Sequence, residues 1–319
     1  MTEPFAAARF IKEIGRGRKG ARSLSRADAS MLYEAMLDGR VSDLELGGIM
    51  LAMRIKGESA DEIAGFLEAA HGSFAPFDAP SGEYAPVIIP SYNGSRQMAN
   101  LTPLLACLLA RQGVPVLIHG VTADPGRVTT AEILQAMGQA SATSHAELLQ
   151  LWREGKPAFM PVESLSPRMA RLLSMRRILG VRNSTHTLVK LLQPFAQPAL
   201  RLNSYTHPEY LAMLTEYLAT LAPGGLGDVF LMRGTEGETV ANARRAQQIT
   251  WFHDGQGTVL VEREAPNDEA PPLPAADAAA TAVWISAALR GEHPMPPAIE
   301  EQVEHCLRVA KQLRQGGRA

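Results

Sequence analysis

"PVIIPSYNGSRQMANLTPLLACLLARQG" (residues 86–113) is the stretch that decides the fold class. Its apolar run 87–89 leads into a polar loop, and apolar residues at helical spacing follow from about Leu101. A strand, a loop and a helix in this order are typical of α/β proteins, where the loop and the helix N-terminus often bind phosphate. This loop has one glycine, Gly94, one arginine and no acidic residue, so the residue types that hold a phosphate and its metal ion are largely missing.

Strands and helices continue to alternate on the C-terminal side of this stretch. The runs "VPVLIHG" (114–120) and "AFMPV" (158–162) predict strands, with a helix from about Thr129 between them. This alternation predicts a mainly parallel sheet with helices packed on it. On the N-terminal side, three segments have helical periodicity, and two of them begin with capping-box spacing, Ser42 to Glu45 and Ser59 to Glu62. Residues up to about 70 therefore predict a small helical unit.

Composition excludes several classes of protein. The 319 residues contain no apolar run near the length of about 20 needed to span a bilayer, and the N-terminus lacks a secretory apolar core. We expect a cytoplasmic protein without a membrane partner. Cys107 and Cys306 are expected to be buried thiols, with a disulfide as the alternative. No set of cysteines and histidines has zinc-ligand spacing.

The formal net charge of −2 conceals an uneven distribution of charge. Basic residues dominate the first thirty positions, and residues 164–208 contain no Asp or Glu. Arg244 and Arg245 form a third basic group. Segregated positive charge attracts polyanions, whereas the alternative is a set of solvated surface arginines without a partner.

Two longer segments, "VLIHGVTADPGRVTTAEILQAMG" (116–138) and "PVESLSPRMARLLSMRRILGVRN" (161–183), resemble glycosyltransferase family 3, whose best-known member is anthranilate phosphoribosyltransferase. The resemblance implies an α/β protein of the phosphoribosyltransferase class, with a small all-helical domain and a larger α/β domain around a mainly parallel sheet. The helical domain would comprise residues 1–72 joined by about 165–182. The α/β domain would comprise residues 73–164 and 183–319.

The chain departs from that family at the positions that bind diphosphate and magnesium. The family's glycine-rich motif is replaced by "PSYNGS", its lysine by Ile118, and its Asp-Glu pair by Thr239-Val240 in an ungapped alignment. Glu236 and Glu238 leave a shifted metal site open. We expect no catalytic residue, no metal ion and no cofactor. A residual anion pocket is implied at these positions: Asn93, Gly94, Asn100, Thr102, His119, Gly120, Arg127 and Arg176.

One branch of the family, the YbiB-type proteins, is similar in the segments "KEIGRGRKGAR", "IPSYNGSRQMANLTPLLA" and "GTEGETVANARR". This resemblance implies a homodimer, joined through the helical domain, that binds nucleic acid without tryptophan-pathway activity. We expect sequence-independent contacts to the DNA or RNA backbone, on single or double strands. The residues predicted for these contacts are Lys12, Arg16, Arg18, Lys19, Arg22, Arg176, Arg177, Arg182, Lys190, Arg201, Arg244 and Arg245.

Two alternatives remain open from the sequence. The first is an active magnesium-dependent phosphoribosyltransferase with an unusual acceptor, which would use Thr102, His119, Arg127 and Glu238. The second is a non-catalytic sensor that binds a small anionic metabolite in the former active-site cleft.

Overall fold

A computed structural model describes residues 5–17, 19–265 and 272–316. The chain forms two compact units. The helical unit consists of residues up to Ala75, Leu165–Pro194 and Glu209–Pro223. The α/β unit consists of Pro76–Ser164, Phe195–Pro208 and the chain from Gly224 onward.

The helices in chain order are α1 (Ala8–Ile14), α2 (Arg26–Leu37), α3 (Asp43–Lys56), α4 (Ala60–His71), α5 (Thr102–Arg111), α6 (Thr130–Ala136), α7 (His145–Arg153), α8 (Val162–Leu165), α9 (Pro167–Ser174), α10 (Arg176–Leu179), α11 (Thr185–Leu188), α12 (Pro208–Glu216), α13 (Ala278–Leu289) and α14 (Pro297–Gly316). A 3-10 turn (Val189–Leu191) follows α11, and a π-helical turn (Tyr217–Leu221) follows α12. The strands are β1 (Val87–Ser91), β2 (Val116–Gly120), β3 (Ala158–Pro161), β4 (Leu200–Tyr205), β5 (Val229–Arg233), β6 (Ile249–His253) and β7 (Gln256–Val261).

One seven-stranded sheet, in the order β3-β2-β1-β4-β5-β6-β7, forms the centre of the α/β unit. The first five strands are parallel, and β6 and β7 add an antiparallel hairpin at one edge. Strands β1 and β2 are buried along their whole length, as expected for parallel strands with both faces covered. The predicted fold class is confirmed.

Strands β4 and β6 were not predicted from the sequence. Strand β6 begins at Ile249, and its pairing with β7 turns at Asp254 and Gly255, which both have positive φ. An Asp-Gly pair between β-branched and aromatic residues is the usual signal of a tight hairpin, so the sequence did contain the necessary information.

The helical unit is built around α2 and α4. Ser25 caps α2, and Ala29, Leu32, Ala35 and Met36 are buried at the predicted helical spacing. Both predicted capping boxes are present, at the first turns of α3 and α4. The N-terminal helical periodicity is therefore confirmed together with its start signals.

The predicted domain boundaries require a correction. Residues 183–194 and 209–223, assigned above to the α/β domain, belong to the helical unit. The reason is packing, because the π-helical turn contacts α4 and Tyr217 is fully buried there. Cys107 and Cys306 are buried free thiols, as predicted. Among the described residues, no helix combines the length and apolarity needed to cross a bilayer.

Candidate functional site: the amide loop and the basic residues

The strand order of the sheet indicates where a ligand site is expected. The chain proceeds outward from β1 through β2 to β3 on one side and through β4 to β5 on the other. The direction in which strands are added therefore reverses between β1 and β4. Ligands of open α/β sheets bind beyond the carboxyl ends of the strands at such a point. Seven of the eight residues predicted for an anion pocket lie in the α/β unit, on or after β1 and β2, whereas Arg176 lies in the helical unit.

The loop that follows β1 directs a series of backbone N–H groups at two carboxylates. We call residues 93–98 the amide loop. Oε1 of Glu238 accepts hydrogen bonds from the N–H groups of Asn93 (2.9 Å) and Gly94 (2.7 Å). Glu236 accepts the other three: Oε2 from Arg96 N at 2.5 Å, and Oε1 from Gln97 N at 2.9 Å and Met98 N at 3.0 Å. The two glutamates thus occupy the donors with which such a loop would bind an anion.

A tight turn after β5 supplies these two carboxylates. We call residues 235–238 the glutamate turn. Thr235 and Glu238 exchange two backbone hydrogen bonds of 3.0 Å, while Glu236 and Gly237 have φ of 51° and 98°. A left-handed conformation is unfavourable for a glutamate by about 1 kcal/mol or more, and it persists only where surrounding contacts impose it. Here the three N–H groups that Glu236 binds provide those contacts.

His119 and its neighbours form a buried polar group at the end of β2. The Nδ1 atom of His119 lies 2.8 Å from the hydroxyl of Tyr92. Burial lowers the pKa of His119 to about 3, so the imidazole is neutral near pH 7 and is a weak base there. Asn100 accepts from the N–H of Thr102 (3.1 Å) and donates to Thr130 (3.1 Å). These contacts join His119 to the residue that follows β1, and Asn100 to the first residues of α5 and α6.

Two further residues of the predicted pocket, Gly120 and Arg127, contact backbone carbonyl oxygens near the end of β1. A Cβ at Gly120 would lie 1.8 Å from the carbonyl oxygen of Ser91, so glycine is required for the close approach of these neighbouring strand ends. The guanidinium of Arg127 donates to the carbonyl oxygen of Gly94 at 3.2 Å. Arg127 therefore adds a cationic side chain to the amide loop, which itself contains Arg96.

The described residues do not fit a magnesium–diphosphate site. Magnesium prefers several carboxylate and phosphate oxygens, but both oxygens of Glu236 and Oε1 of Glu238 are engaged by backbone N–H groups. Among the described atoms, Oε2 of Glu238 is the one oxygen of these two carboxylates without a hydrogen bond. Thr239 and Val240, at the positions of the family's Asp-Glu pair, carry no carboxylate and are buried. In the part of the chain that the structure describes, no three His, Cys, Asp or Glu side chains are placed to share a metal ion.

The basic residues predicted for nucleic acid divide between the two units. Lys12, Arg16, Lys19, Arg22, Arg176, Arg177, Arg182 and Lys190 lie in the helical unit, while Arg201, Arg244 and Arg245 lie in the α/β unit. Arg18 lies outside the described residues. The prediction for Arg201 is wrong, because its side chain is only 2% exposed within strand β4 and cannot reach a nucleic-acid backbone from there.

The acid-free segment 164–208 has acidic neighbours in space. Arg168 forms an ion pair of 2.6 Å with Asp38, and Ser184 donates to Glu58 at 2.6 Å. In the N-terminal segment, Arg16 and Arg22 lie 2.6 Å and 4.0 Å from the single carboxylate of Glu13. The positive charge of Arg168 is thus neutralised by an ion pair, whereas positive charges outnumber negative ones between residues 12 and 22.

Comparisons with known proteins agree with this architecture. A family model described as "Glycosyl transferase family, helical bundle domain" matches residues 8–73. A protein named "Uncharacterized protein YbiB" of Escherichia coli K12 is 43% identical over 301 residues, which cover 94% of this chain and 92% of YbiB. The anthranilate phosphoribosyltransferase of Rhizobium meliloti is 30% identical over 240 residues, which cover 72% of this chain and 68% of that enzyme.

Solved structures are similar over almost the whole chain. Anthranilate phosphoribosyltransferase from Thermus thermophilus has a TM-score of 0.70 at 22% identity, covering 97% of this chain and 92% of that one. The Saccharomyces cerevisiae enzyme in complex with PRPP and Mg also has a TM-score of 0.70, at 16% identity, covering 97% of this chain and 89% of that one. At these identities the likeness concerns the fold. Together with the sequence relatives, these matches show that the chain belongs to the anthranilate phosphoribosyltransferase family, with YbiB among its relatives.

Proposed function

We propose that this protein is a cytoplasmic, sequence-independent nucleic-acid-binding protein that uses a phosphoribosyltransferase-like scaffold without its transfer chemistry. The observation that carries the proposal is the excess of exposed positive charge on the helical unit. Contacts from lysine and arginine to phosphates release counterions and require no particular base sequence. The partner would therefore be DNA or RNA, bound through its backbone.

The N-terminal segment carries the clearest excess of positive charge. Lys12, Arg16, Lys19 and Arg22 are all exposed, and Glu13 is the one acid between residues 12 and 22. Within the described part of the chain, Lys12 and Lys19 have no ion pair. Since a single carboxylate cannot neutralise four cations, this surface retains positive charge.

A second group of cations surrounds His186 in the same unit. Burial lowers the pKa of His186 to about 3, and the positive charges of Arg182, Arg176 and Lys190 lower it further. An imidazole whose protonation is opposed by three cations marks a region of positive potential. Arg177 on α10 is exposed beside this group. These residues form a second candidate region for nucleic-acid binding in the helical unit.

Reversing charge on this surface tests the proposal. We expect wild-type protein to bind labelled single-stranded and duplex oligonucleotides with an affinity that falls steeply as salt rises. The Lys12→Glu/Lys19→Glu variant should bind about tenfold or more weakly, with a shallower salt dependence, because each lost phosphate contact reduces the number of released ions. Fluorescence anisotropy at several salt concentrations measures both quantities.

The matched control for that experiment is Arg153→Glu/Lys156→Glu, which makes the same change in net charge at exposed positions of the α/β unit. This control should bind nearly as wild type does. An equal loss of affinity in both variants, or binding that is indifferent to salt, would contradict the proposed surface.

We further propose that the protein is a homodimer joined through an apolar face of α3 and α10. Leu44, Leu51 and Ile55 lie on one side of α3 and are 88%, 41% and 71% exposed, and Ile178 on α10 is 77% exposed. The two helices are adjacent, since a Cβ at Gly47 would lie 3.9 Å from Leu179. Exposed apolar side chains on two adjacent helices support self-association, and a two-fold axis would double the basic surface.

Charged substitutions on this face are expected to give monomers. Leu44→Asp/Ile55→Asp would place two carboxylates within the buried interface, where they have no partner. Size-exclusion chromatography with light scattering should show a dimer for wild type and a monomer for the variant. Val259→Asp/Val283→Asp, at exposed apolar positions of the α/β unit, is the control and should remain a dimer. Wild-type protein that elutes as a monomer would rule out the interface.

A second candidate function is magnesium-dependent phosphoribosyl transfer to an unusual acceptor. The observation that favours it is a set of buried polar atoms without a hydrogen-bond partner among the described protein atoms: Thr102 Oγ1, His119 Nε2, Glu238 Oε2 and Thr239 Oγ1. Release of pyrophosphate from phosphoribosyl pyrophosphate with any acceptor would establish this activity. The occupied donors of the amide loop are the reason that we rank it second.

A further inference from the structure

We propose that the amide loop is an anion-binding site whose resident ligands are the carboxylates of Glu236 and Glu238, and that this internal occupation closes the site to phosphate and diphosphate. The proposal concerns the α/β unit alone and is independent of nucleic-acid binding, which concerns the helical unit. Its ligand class is the tetrahedral oxyanion, with inorganic pyrophosphate as the probe.

The geometry is that of an occupied anion site. Five N–H groups of a six-residue loop converge on two carboxylates, at distances between 2.5 and 3.0 Å. Successive backbone N–H groups that point into one concavity form the usual nest for phosphate oxygens. Hydrogen bonds to a charged acceptor are stronger than those to a neutral one, so the carboxylates are strong competitors for these donors.

The glutamate turn is held in position by contacts on both sides. Ser204 donates to the carbonyl oxygen of Gly237 at 2.9 Å, and Gln302 on α14 donates to the carbonyl oxygen of Thr239 at 2.8 Å. A Cβ at Gly237 would lie 1.5 Å from Nδ2 of Asn93, which shows how closely the turn approaches the amide loop. The carboxylates are therefore presented by a preorganised turn, and an external anion would have to displace them against these contacts.

Occupation excludes a diphosphate in two ways. The N–H donors already have acceptors, and two negative charges stand where the phosphate oxygens would bind. Glu238 is fully buried, and like charges in a site of low dielectric repel strongly. Removal of both carboxylates would leave the five donors and the guanidinium of Arg127, which bonds to Gly94, as an open site of positive potential.

The decisive experiment measures pyrophosphate binding by isothermal titration calorimetry in metal-free buffer. We expect no detectable binding by wild type. Glu236→Ala/Glu238→Ala should bind at least about tenfold tighter than the weakest affinity that the titration detects, since several charge-assisted hydrogen bonds become available. The control Glu262→Ala/Glu264→Ala removes two carboxylates at exposed positions and should behave as wild type. The same titration with inorganic phosphate shows whether the opened site binds one tetrahedral group or requires two.

Two measurements keep the proposal falsifiable if the alanine variant fails to fold. Glu236→Gln/Glu238→Gln removes the charges but preserves the volume, and it should also gain pyrophosphate binding. In wild type, hydrogen exchange at the amides of the loop should be slow and unaffected by pyrophosphate. Pyrophosphate binding by wild type, a folded variant that does not bind, or rapid exchange at these amides would each overturn the proposal.

Discussion

Replacement of Glu62 by alanine is expected to lower the free energy of unfolding by about 3–5 kcal/mol, because it breaks a buried ion pair and leaves the ammonium group of Lys56 without a counter-ion. Glu62 is fully buried on α4, and its Oε2 lies 2.6 Å from Nζ of Lys56, whose side chain is 9% exposed. The same carboxylate accepts the N–H groups of Ser59 (2.8 Å) and Leu24 (2.9 Å). Alanine would leave the two N–H groups without an acceptor and Lys56 with the carbonyl oxygen of Gly57 (2.6 Å) and the hydroxyl of Ser23 (3.4 Å) but no counter-ion.

The expected loss is measured as a shift in the urea midpoint by far-UV circular dichroism. Trp152, Trp251 and Trp284 are the only tryptophans and all belong to the α/β unit, so their fluorescence follows that unit. The matched control is Glu68→Ala on the same helix, where Glu68 pairs with Arg26 at 42% and 37% exposure. An exposed pair contributes about 1 kcal/mol or less, so the control should stay near wild type. Similar midpoints for both variants would be the contrary result.

A double variant distinguishes the effect of the unpaired charge on stability from the effect of lost side-chain volume. Lys56→Met/Glu62→Leu removes both charges while retaining apolar volume, and it should recover much of the stability lost by Glu62→Ala. The contact to Leu24 also links this carboxylate to the basic N-terminal segment, since Leu24 lies two residues after Arg22. The oligonucleotide affinity of the Glu62→Ala variant therefore tests whether nucleic-acid binding requires the hydrogen bond that joins the N-terminal segment to α4.

Local signals in the sequence were sufficient for much of the fold. The capping boxes at Ser42 and Ser59 depend on residues three positions apart, and both were predicted from that spacing. The parallel sheet followed from the alternation of apolar strands and helices. Strand β6 was missed although its Asp-Gly turn is a local signal, and the 209–223 helix was assigned to the wrong unit because its packing partner is distant in sequence.

The contacts of the site could not be predicted in the same way. Glu236 and Glu238 reach the amide loop across 138 to 145 residues of sequence, and no periodicity or spacing encodes such a pairing. The sequence showed only that two acids lie near the family's metal-binding positions. Arg201 illustrates the opposite error, because a basic residue was interpreted as surface charge although its strand is buried on both sides. Residue type predicts chemistry, whereas burial and long-range contacts decide whether that chemistry is available.

Substitution of Gly65 by alanine tests the central helix pair of the helical unit. A Cβ at this position would lie 2.1 Å from the carbonyl oxygen of Arg26, 2.8 Å from Ser30 N and 2.9 Å from the Cβ of Ala29. Two of these atoms belong to the backbone of α2, so the clash can be relieved only if α2 and α4 move apart. Overpacking of this kind costs about 1–3 kcal/mol, in a helix where alanine would otherwise stabilise by about 1 kcal/mol.

The matched control is Gly47→Ala, also within a helix, where the new methyl group would meet only Leu179 at 3.9 Å. We expect Gly47→Ala to raise the urea midpoint slightly and Gly65→Ala to lower it, so the two variants move in opposite directions from the same chemical change. A rise in both would mean that α2 and α4 do not approach as closely as described. A fall in Gly65→Ala alone would assign the loss to the helix–helix contact, because helix propensity acts equally at both positions.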